Sequence, residues 1–377
     1  MDQPKKTSFG EATVNTLLMP FFKQRTHAVV HPFNVLEKEI KEPSPFYIQV
    51  FDYNQENLLE MEIVKVEDCF ELKSKTTITW LNMDGVHRKE LEKVANQYNI
   101  HFLIQEDIIS HGQRPKFDEI NDILFAQLNM LFYNTSNHNI EHEQLSLVMG
   151  ENYVISFQED AQRDVFNPIR QKLRLDNSKL RAKPADYLFY SMVDIVVDSY
   201  FPVIEKVGER IEKAEEDLMT GLGKKAFHEI NLIRKDLILL KRNTTPVRDL
   251  VAALLRSESV LLQEDTTKYY KDVYDHIMQA NDLVDNYREL LNTLQDIYFN
   301  NVNLRMNEVM KTLAILTTIM APATIIGGVF GMNFDVIPYA HHKWGFYGTV
   351  FFMLLIPLIM LGWFKKRGWF NYNKRDN

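Results

Sequence analysis

The chain has 377 residues, a formal net charge of −8 at pH 7 and a single cysteine, Cys69. A dispersed acidic balance argues against nucleic acid as a partner, and one cysteine excludes both an intrachain disulfide framework and a cysteine-cluster zinc site. Apolar content is ordinary at 45%, but it crowds into the part of the chain beyond about Lys311.

Residues 1–45 show no clear period and read as an N-terminal extension, partly disordered. Its polar start, Met1–Gly10, carries no apolar signal segment, so this end is expected to stay on the side where it is made. Strand-like runs follow at Tyr47–Tyr53, Leu59–Val66 and Thr76–Leu81. After a helical pattern at Lys89–Gln97 come further strand-like runs at Ile123–Phe132, Gln144–Val148 and Tyr153–Phe157, with Gly, Asn or Asp between several of them. These make a mixed α/β domain over 46–160. Over 161–265 the period turns helical: Val165–Leu175 is short, Ala185–Thr220 and Lys225–Ser257 are long. From Thr266 to Phe330 no strong stop occurs except Pro322. About 65 residues at ~1.5 Å each give a rod of roughly 100 Å, divided into a stalk (266–311) and a first membrane span (312–333).

Thr312 to Phe334 contains no charged residue over 23 positions, and Trp344 to Phe364 none over 21. Each is long enough to cross the ~30 Å hydrocarbon core as a helix, and Pro322 is tolerated there as a kink. Lys365, Lys366 and Arg367 follow the second span (344–364) and open a basic tail (365–377). The connecting loop (334–343) carries only Asp335, Lys343, His341 and His342. The excess of basic residues at the far ends places both termini in the cytoplasm and the loop outside. Trp344, Trp363, Trp369 and Phe370 suit interface anchors.

The rod carries two stripes at 3-4 spacing. Ile277, Ala280, Val284, Tyr287, Leu291, Leu294 and Tyr298 form a packing seam. Thr293, Asp296, Asn300, Asn303, Asn307, Met310, Ala314, Thr317, Ala321, Thr324 and Gly328 form a polar stripe that stays small or hydroxylated inside the membrane. That second stripe suits either a solvated face continuing into a close helix contact or the wall of a water-filled path.

The first span ends in Phe330-Gly331-Met332-Asn333-Phe334. Gly-Met-Asn at that place, with two terminal spans, a short loop, a basic tail and a long preceding helix, resembles the CorA family of metal-ion transporters. Met306–Lys311, Asp272–His276, Gln113–Lys116 and Ser156–Glu159 resemble further family segments, so the likeness covers about residues 46–377. It implies an α+β membrane protein with an N-terminal cytoplasmic α/β domain, a helical stalk and two C-terminal transmembrane helices. Five copies would form a homopentameric funnel in the cell membrane, with five first spans lining the pore. Two helices alone cannot enclose a water path.

The resemblance also implies site residues. Gly331, Met332 and Asn333 become the outer selectivity site. An asparagine ring there would accept hydrogen bonds from water held by Mg²⁺, which gives up its shell reluctantly. Gly331 would let the backbone turn or pack closely. Asn300, Asn303, Asn307, Met310, Leu313, Thr317, Ala321, Thr324 and Gly328 become pore-lining, with Met310 and Leu313 as an apolar constriction. Ala321 stands where members often have methionine, so the constriction is shorter or wider at its upper end. Asp335, the only loop acid, becomes a weak external attractor. Glu106 and Asp107, with Asp272 from a neighbouring subunit, become regulatory Mg²⁺ ligands, with Asp194 and Asp275 as secondary candidates.

The expected function is influx of Mg²⁺, with Co²⁺ and Ni²⁺ as further cargo, and no organic cofactor. A zinc transporter of the ZntB type on the same scaffold is the nearest alternative. A non-conducting membrane-anchored helical sensor is another. No phosphate loop, Gly-x-Ser-x-Gly or His-Glu-x-x-His occurs, so no enzyme is expected.

Overall fold

The computed structural model describes residues 46–74, 76–85, 87–160, 163–221, 223–332 and 342–369. The 1–45 extension, residues 333–341 with Asn333, Asp335 and His341, and the tail beyond 369 lie outside the described residues. The chain divides into two compact units. One holds the residues up to His111 together with Leu145–Ala185; the other holds Gly112–Gln144 together with the residues from Asp186 onward.

In the first unit, β1 (Tyr47–Tyr53) and β2 (Leu58–Ile63) form a hairpin, Ile48 facing Ile63. Asn54 shapes the turn, its Oδ1 accepting from the N–H groups of Glu56 and Asn57. A 3₁₀ segment, Val66–Ser74, leads to β3 (Ile78–Asp84), antiparallel to β1. Helices α1 (Arg88–Tyr98) and α2 (Phe102–Ile109) follow, separated by Asn99 in the left-handed conformation at φ 56°. Strand β7 (Tyr153–Gln158) lies parallel to β3, and α3 (Asn167–Arg174) follows it. Strand order is β2-β1-β3-β7, and β7 pairs on its other edge with Ser146–Met149 of β6 (Asn139–Met149). Phe51 stacks on Trp80 at 4.8 Å, and Phe166 meets Trp80 edge-on at 5.8 Å. All three are fully buried and anchor this core.

In the second unit, β4 (Lys116–Ile120) pairs with β5 (Ile123–Asn134). The two-residue connection Asn121-Asp122 has φ of 52° and 57°, the left-handed pair that a tight hairpin requires. Helices α4 (Ala185–Asp198), α5 (Tyr200–Met219), α6 (Gly223–Arg256) and α7 (Glu264–Phe330) follow, then α8 (Gly345–Lys366). The sequence pattern ran α4 and α5 together. The break at Ser199 has a local cause: Pro202 has no N–H for the carbonyl of Asp198, and its ring crowds that oxygen. Tyr200 donates to the Asn129 carbonyl at 2.7 Å, and Asn129 Nδ2 donates to Asn243 at 2.8 Å, tying β5 to α5 and α6. Asp186 Oδ2 accepts the Gln263 N–H at 2.9 Å, fixing the start of α7 against α4.

Among the described residues, three helical stretches are long and apolar enough to cross a membrane: Ala185–Met219, α7 and α8. In the first, 56% of the apolar window is buried in the chain, against 6% in α7 and none in α8. The first is therefore soluble core, and the unburied pair are the spans of an α+β membrane protein. The seam of α7 behaves as its period required. Ile277, Ala280, Val284, Leu291 and Leu294 are buried against the preceding helices, and Tyr287 fits over Gly208, where a Cβ would lie only 2.4 Å from its hydroxyl.

Candidate ion path and metal-binding acids

Beyond Tyr298, α7 loses most of its cover among the described residues. Every residue from Phe299 to Ala314, sixteen in succession, is exposed. Polar Asn300, Asn303 and Asn307 share this segment with Val302, Leu304, Met306, Val309, Met310 and Leu313, which are 42–69% exposed. A helix with apolar residues all round finds nothing among the described residues of the single chain to bury them. Farther up, Thr317, Ala321, Thr324 and Gly328 are also exposed.

The hydroxyls of the span are oriented by the helix itself. Thr317 donates to the Leu313 carbonyl at 2.9 Å and Thr324 to the Met320 carbonyl at 3.0 Å. A hydroxyl has one proton, so both oxygens turn only lone pairs outward. Such a surface receives hydrogen bonds, and metal-bound water offers them. The paired glycines differ: a Cβ on Gly327 would meet Met353 Cε of α8 at 3.6 Å, while one on Gly328 would meet nothing within 4 Å. Gly331 caps the helix with φ −86° and ψ −3°, dihedrals open to any residue. Close approach accounts for it better than a turn, since a Cβ there would lie 3.1 Å from the Gly327 carbonyl oxygen. Met332 is exposed beside it, and Asn333 and Asp335 fall outside the described residues.

The candidate regulatory acids fall in both units. Glu106 and Asp107 lie within α2 and are half-buried in the first unit. Asp272 and Asp275 are exposed on α7 in the second. Of the candidates, one sits in a group able to hold a metal. Asp194 on α4 is brought together with Asp198, one turn on, and His276 of α7, all within 4.8 Å of one another. His276 Nδ1 lies 3.1 Å from Asp198 Oδ1, and Tyr190 donates to Asp194 Oδ2 at 3.3 Å. Burial, then the charge of Asp198, holds the Asp194 carboxyl above the usual range, and Asp272 adds a smaller push in the same direction. Sequence reading missed Asp198 and His276 as ligands. The signal available was the Asp194/Asp198 i,i+4 pair together with the histidine ending Asp272–His276.

The sequence profile of CorA-like Mg²⁺ transporter proteins matches residues 75–366. The cobalt/magnesium transport protein CorA of Thermotoga maritima is 36% identical over 325 residues, covering 86% of this chain and 92% of that one. The zinc transport protein ZntB of Yersinia pestis is 22% identical over 295 residues, 78% of this chain and 88% of that one. Among solved structures, the CorA magnesium transporter from Methanocaldococcus jannaschii has a like fold, with a TM-score of 0.70 at 21% identity over 85% of this chain and 98% of that one.

Proposed function

The chain belongs to the family of CorA-like Mg²⁺ transporters, membrane proteins that move divalent metal ions and are not enzymes, and from that premise we propose that five copies form a Mg²⁺ influx channel along α7. One observation carries this reading: sixteen consecutive exposed residues on a helix that continues without interruption into an apolar span. Copies of α7 around a common axis bury Val302, Val309 and their neighbours against one another. The Asn300–Asn303–Asn307 face and the acceptor oxygens of Thr317 and Thr324 then turn inward.

Mg²⁺ enters from outside with its water shell, greeted by the asparagine ring at Asn333 behind Gly331 and Met332, with Asp335 adding a weak attraction. Selecting the hydrated ion avoids the cost of stripping its shell. Met310 and Leu313 close the path by excluding water. Cytoplasmic Mg²⁺ bound by Glu106 and Asp107 with Asp272 of a neighbour, and by Asp194 and Asp275, favours the closed form; depletion favours the open one by differential affinity. Both termini lie in the cytoplasm. Co²⁺ and Ni²⁺ are further cargo.

The test is Mg²⁺ influx into liposomes holding purified protein. Hexaammine-cobalt, a mimic of the hydrated ion, should block it, and Asn333→Ala should abolish it. Protein that is monomeric in bilayers, or an Asn333→Ala variant with unchanged flux and ion preference, overturns the reading.

Zinc transport is the second reading. The ZntB likeness and an imidazole beside Asp194 and Asp198 favour it, since imidazole suits Zn²⁺ better than Mg²⁺. Uptake of Zn²⁺ faster than Mg²⁺ in the same liposomes would decide for it.

A further inference from the structure

At the carboxyl ends of the parallel neighbours β3 and β7, four polar side chains are sealed from solvent. Asn82, Asp84, Ser156 and Gln158 are each no more than 2% exposed. The register sets Asn82 beside Ser156 and Asp84 beside Gln158. A directional chain of hydrogen bonds runs through them. Trp80 Nε1 donates to Ser156 Oγ at 2.9 Å, and Ser156 Oγ donates to Asn82 Oδ1 at 2.6 Å. Gln158 Nε2 donates to the same oxygen at 2.8 Å, and Asn82 Nδ2 donates to Asp84 Oδ2 at 3.2 Å. Two buried atoms at the end of the chain have no hydrogen-bond partner among the described residues: Asp84 Oδ1 and Gln158 Oε1. Both are acceptors, on residues paired side by side. A buried acceptor left unmet is costly, and this pair lacks one donor.

We propose that Asp84 is a buried proton-binding site: the neutral acid donates its O–H to Gln158 Oε1, and loss of that proton loosens the carboxyl ends of β3 and β7. One proton satisfies both orphaned oxygens, which a carboxylate cannot do. The charged surroundings agree. Asp164 and Asp160, from the segment after β7, repel a charge on Asp84. Tyr47 of β1, its register partner on the other side, stays neutral over this range because burial, with Glu62 and Asp84, pushes its hydroxyl up to about 12. Arg170 of α3 is the cation that acts on Asp84, but its guanidinium is engaged by Asp164, by Asn167 Oδ1 at 3.3 Å and by Gln49 Oε1 at 2.8 Å. Burial, then Asp164, pushes the Asp84 carboxyl up to about 7. In the unfolded chain the same group loses its proton near ~3.9. The folded unit therefore holds a proton that the unfolded chain has released. The stabilisation is full below about pH 4 and is lost as pH rises through about 7.

The test is hydrogen–deuterium exchange on the full-length protein, corrected for intrinsic rates, in peptides covering 78–85 and 153–158. Between about pH 5.5 and pH 8.5 the wild type should lose about tenfold in protection, within the range of sub-global opening. Asp84→Asn, whose amide can donate to the same oxygen, should keep equal protection at both. A bridging water beside a permanently charged Asp84 would leave the wild type equally protected at both pH values and overturn the proposal. So would an Asp84→Asn variant as pH-sensitive as the wild type. Infrared difference spectra of ¹³C-aspartate-labelled wild type against Asp84→Asn separate the Asp84 carboxyl from those of Asp194 and Asp236, which are also raised. A protonated carboxyl band at pH 5.5 that fades by pH 8.5 supports the site, and its absence at pH 5.5 overturns it.

Discussion

Gly327 and Gly328 are sequence neighbours with different surroundings: a Cβ on the first would touch Met353 of α8, and one on the second would enter open space. The two positions therefore separate the α7–α8 packing from the proposed path. Gly327→Leu crowds the α7–α8 contact and should cost about 1–3 kcal/mol, read as a lower melting temperature in detergent. Gly328→Leu should leave melting and assembly unchanged and cut Mg²⁺ flux in liposomes, because its side chain would fill the proposed path. Equal flux from Gly328→Leu and wild type would remove Gly328 from the path.

The Asp194, Asp198 and His276 group offers two carboxylates and an imidazole. Co²⁺ or Ni²⁺ should raise the melting temperature, and His276→Ala should weaken that effect by at least about tenfold in concentration while leaving the Mg²⁺ effect nearly intact. Burial and Asp198 raise the Asp194 carboxyl, so protons compete with the metal from a higher pH than at an ordinary aspartate. Metal affinity here should fall as pH drops. Thermal melts across metal concentration at two pH values check both statements.

Much of the architecture was legible because its signals are local. The spans are charge-free runs, β1 is a short strand-like run rich in aromatic and branched residues, and the α7 seam is a 3-4 stripe. The misses trace to residues whose meaning depends on something distant or small. Lys116–Ile120 is too polar to read as a strand, and its hairpin partner is announced only by Asn121-Asp122. Phe102–Ile109 forms α2 around Ile104 and Ile108, which it buries, although Phe102 and Leu103 stay exposed. Pro202 breaks a helix where Pro246 and Pro322 do not. His276 meets Asp198 across 78 positions of sequence, a pairing no period can announce.

Asn281 is the polar centre of the α6–α7 contact. Its amide donates to the carbonyls of Thr244 at 3.1 Å and Ile277 at 2.9 Å, and its oxygen accepts from the hydroxyls of Thr244 and Thr245, each at 3.1 Å. The side chain is buried, so Asn281→Leu strands several polar groups and should cost about 2–3 kcal/mol. The Lys241–Asp285 pair beside it is far more exposed, and Lys241→Ala should cost less than about 1 kcal/mol. Melting temperatures of the two variants, compared in the same detergent, test the ranking.

Thr317 and Thr324 each give their proton to a carbonyl of their own helix, so a change to valine removes an outward acceptor while keeping the side chain's shape. Neither residue is buried in the chain. Replacement should move stability by no more than about 0.5 kcal/mol, as for surface positions in general. If metal-bound water hydrogen-bonds to these oxygens, each loss weakens the passing hydrated ion's hold at that level by about 0.5–1.5 kcal/mol, or roughly two- to tenfold. Thr317→Val and Thr324→Val should then each lower Mg²⁺ flux into liposomes and weaken block by hexaammine-cobalt together, with assembly unchanged. A fall in flux with undiminished block would mean that the hydroxyls shape the path without touching the ion's water.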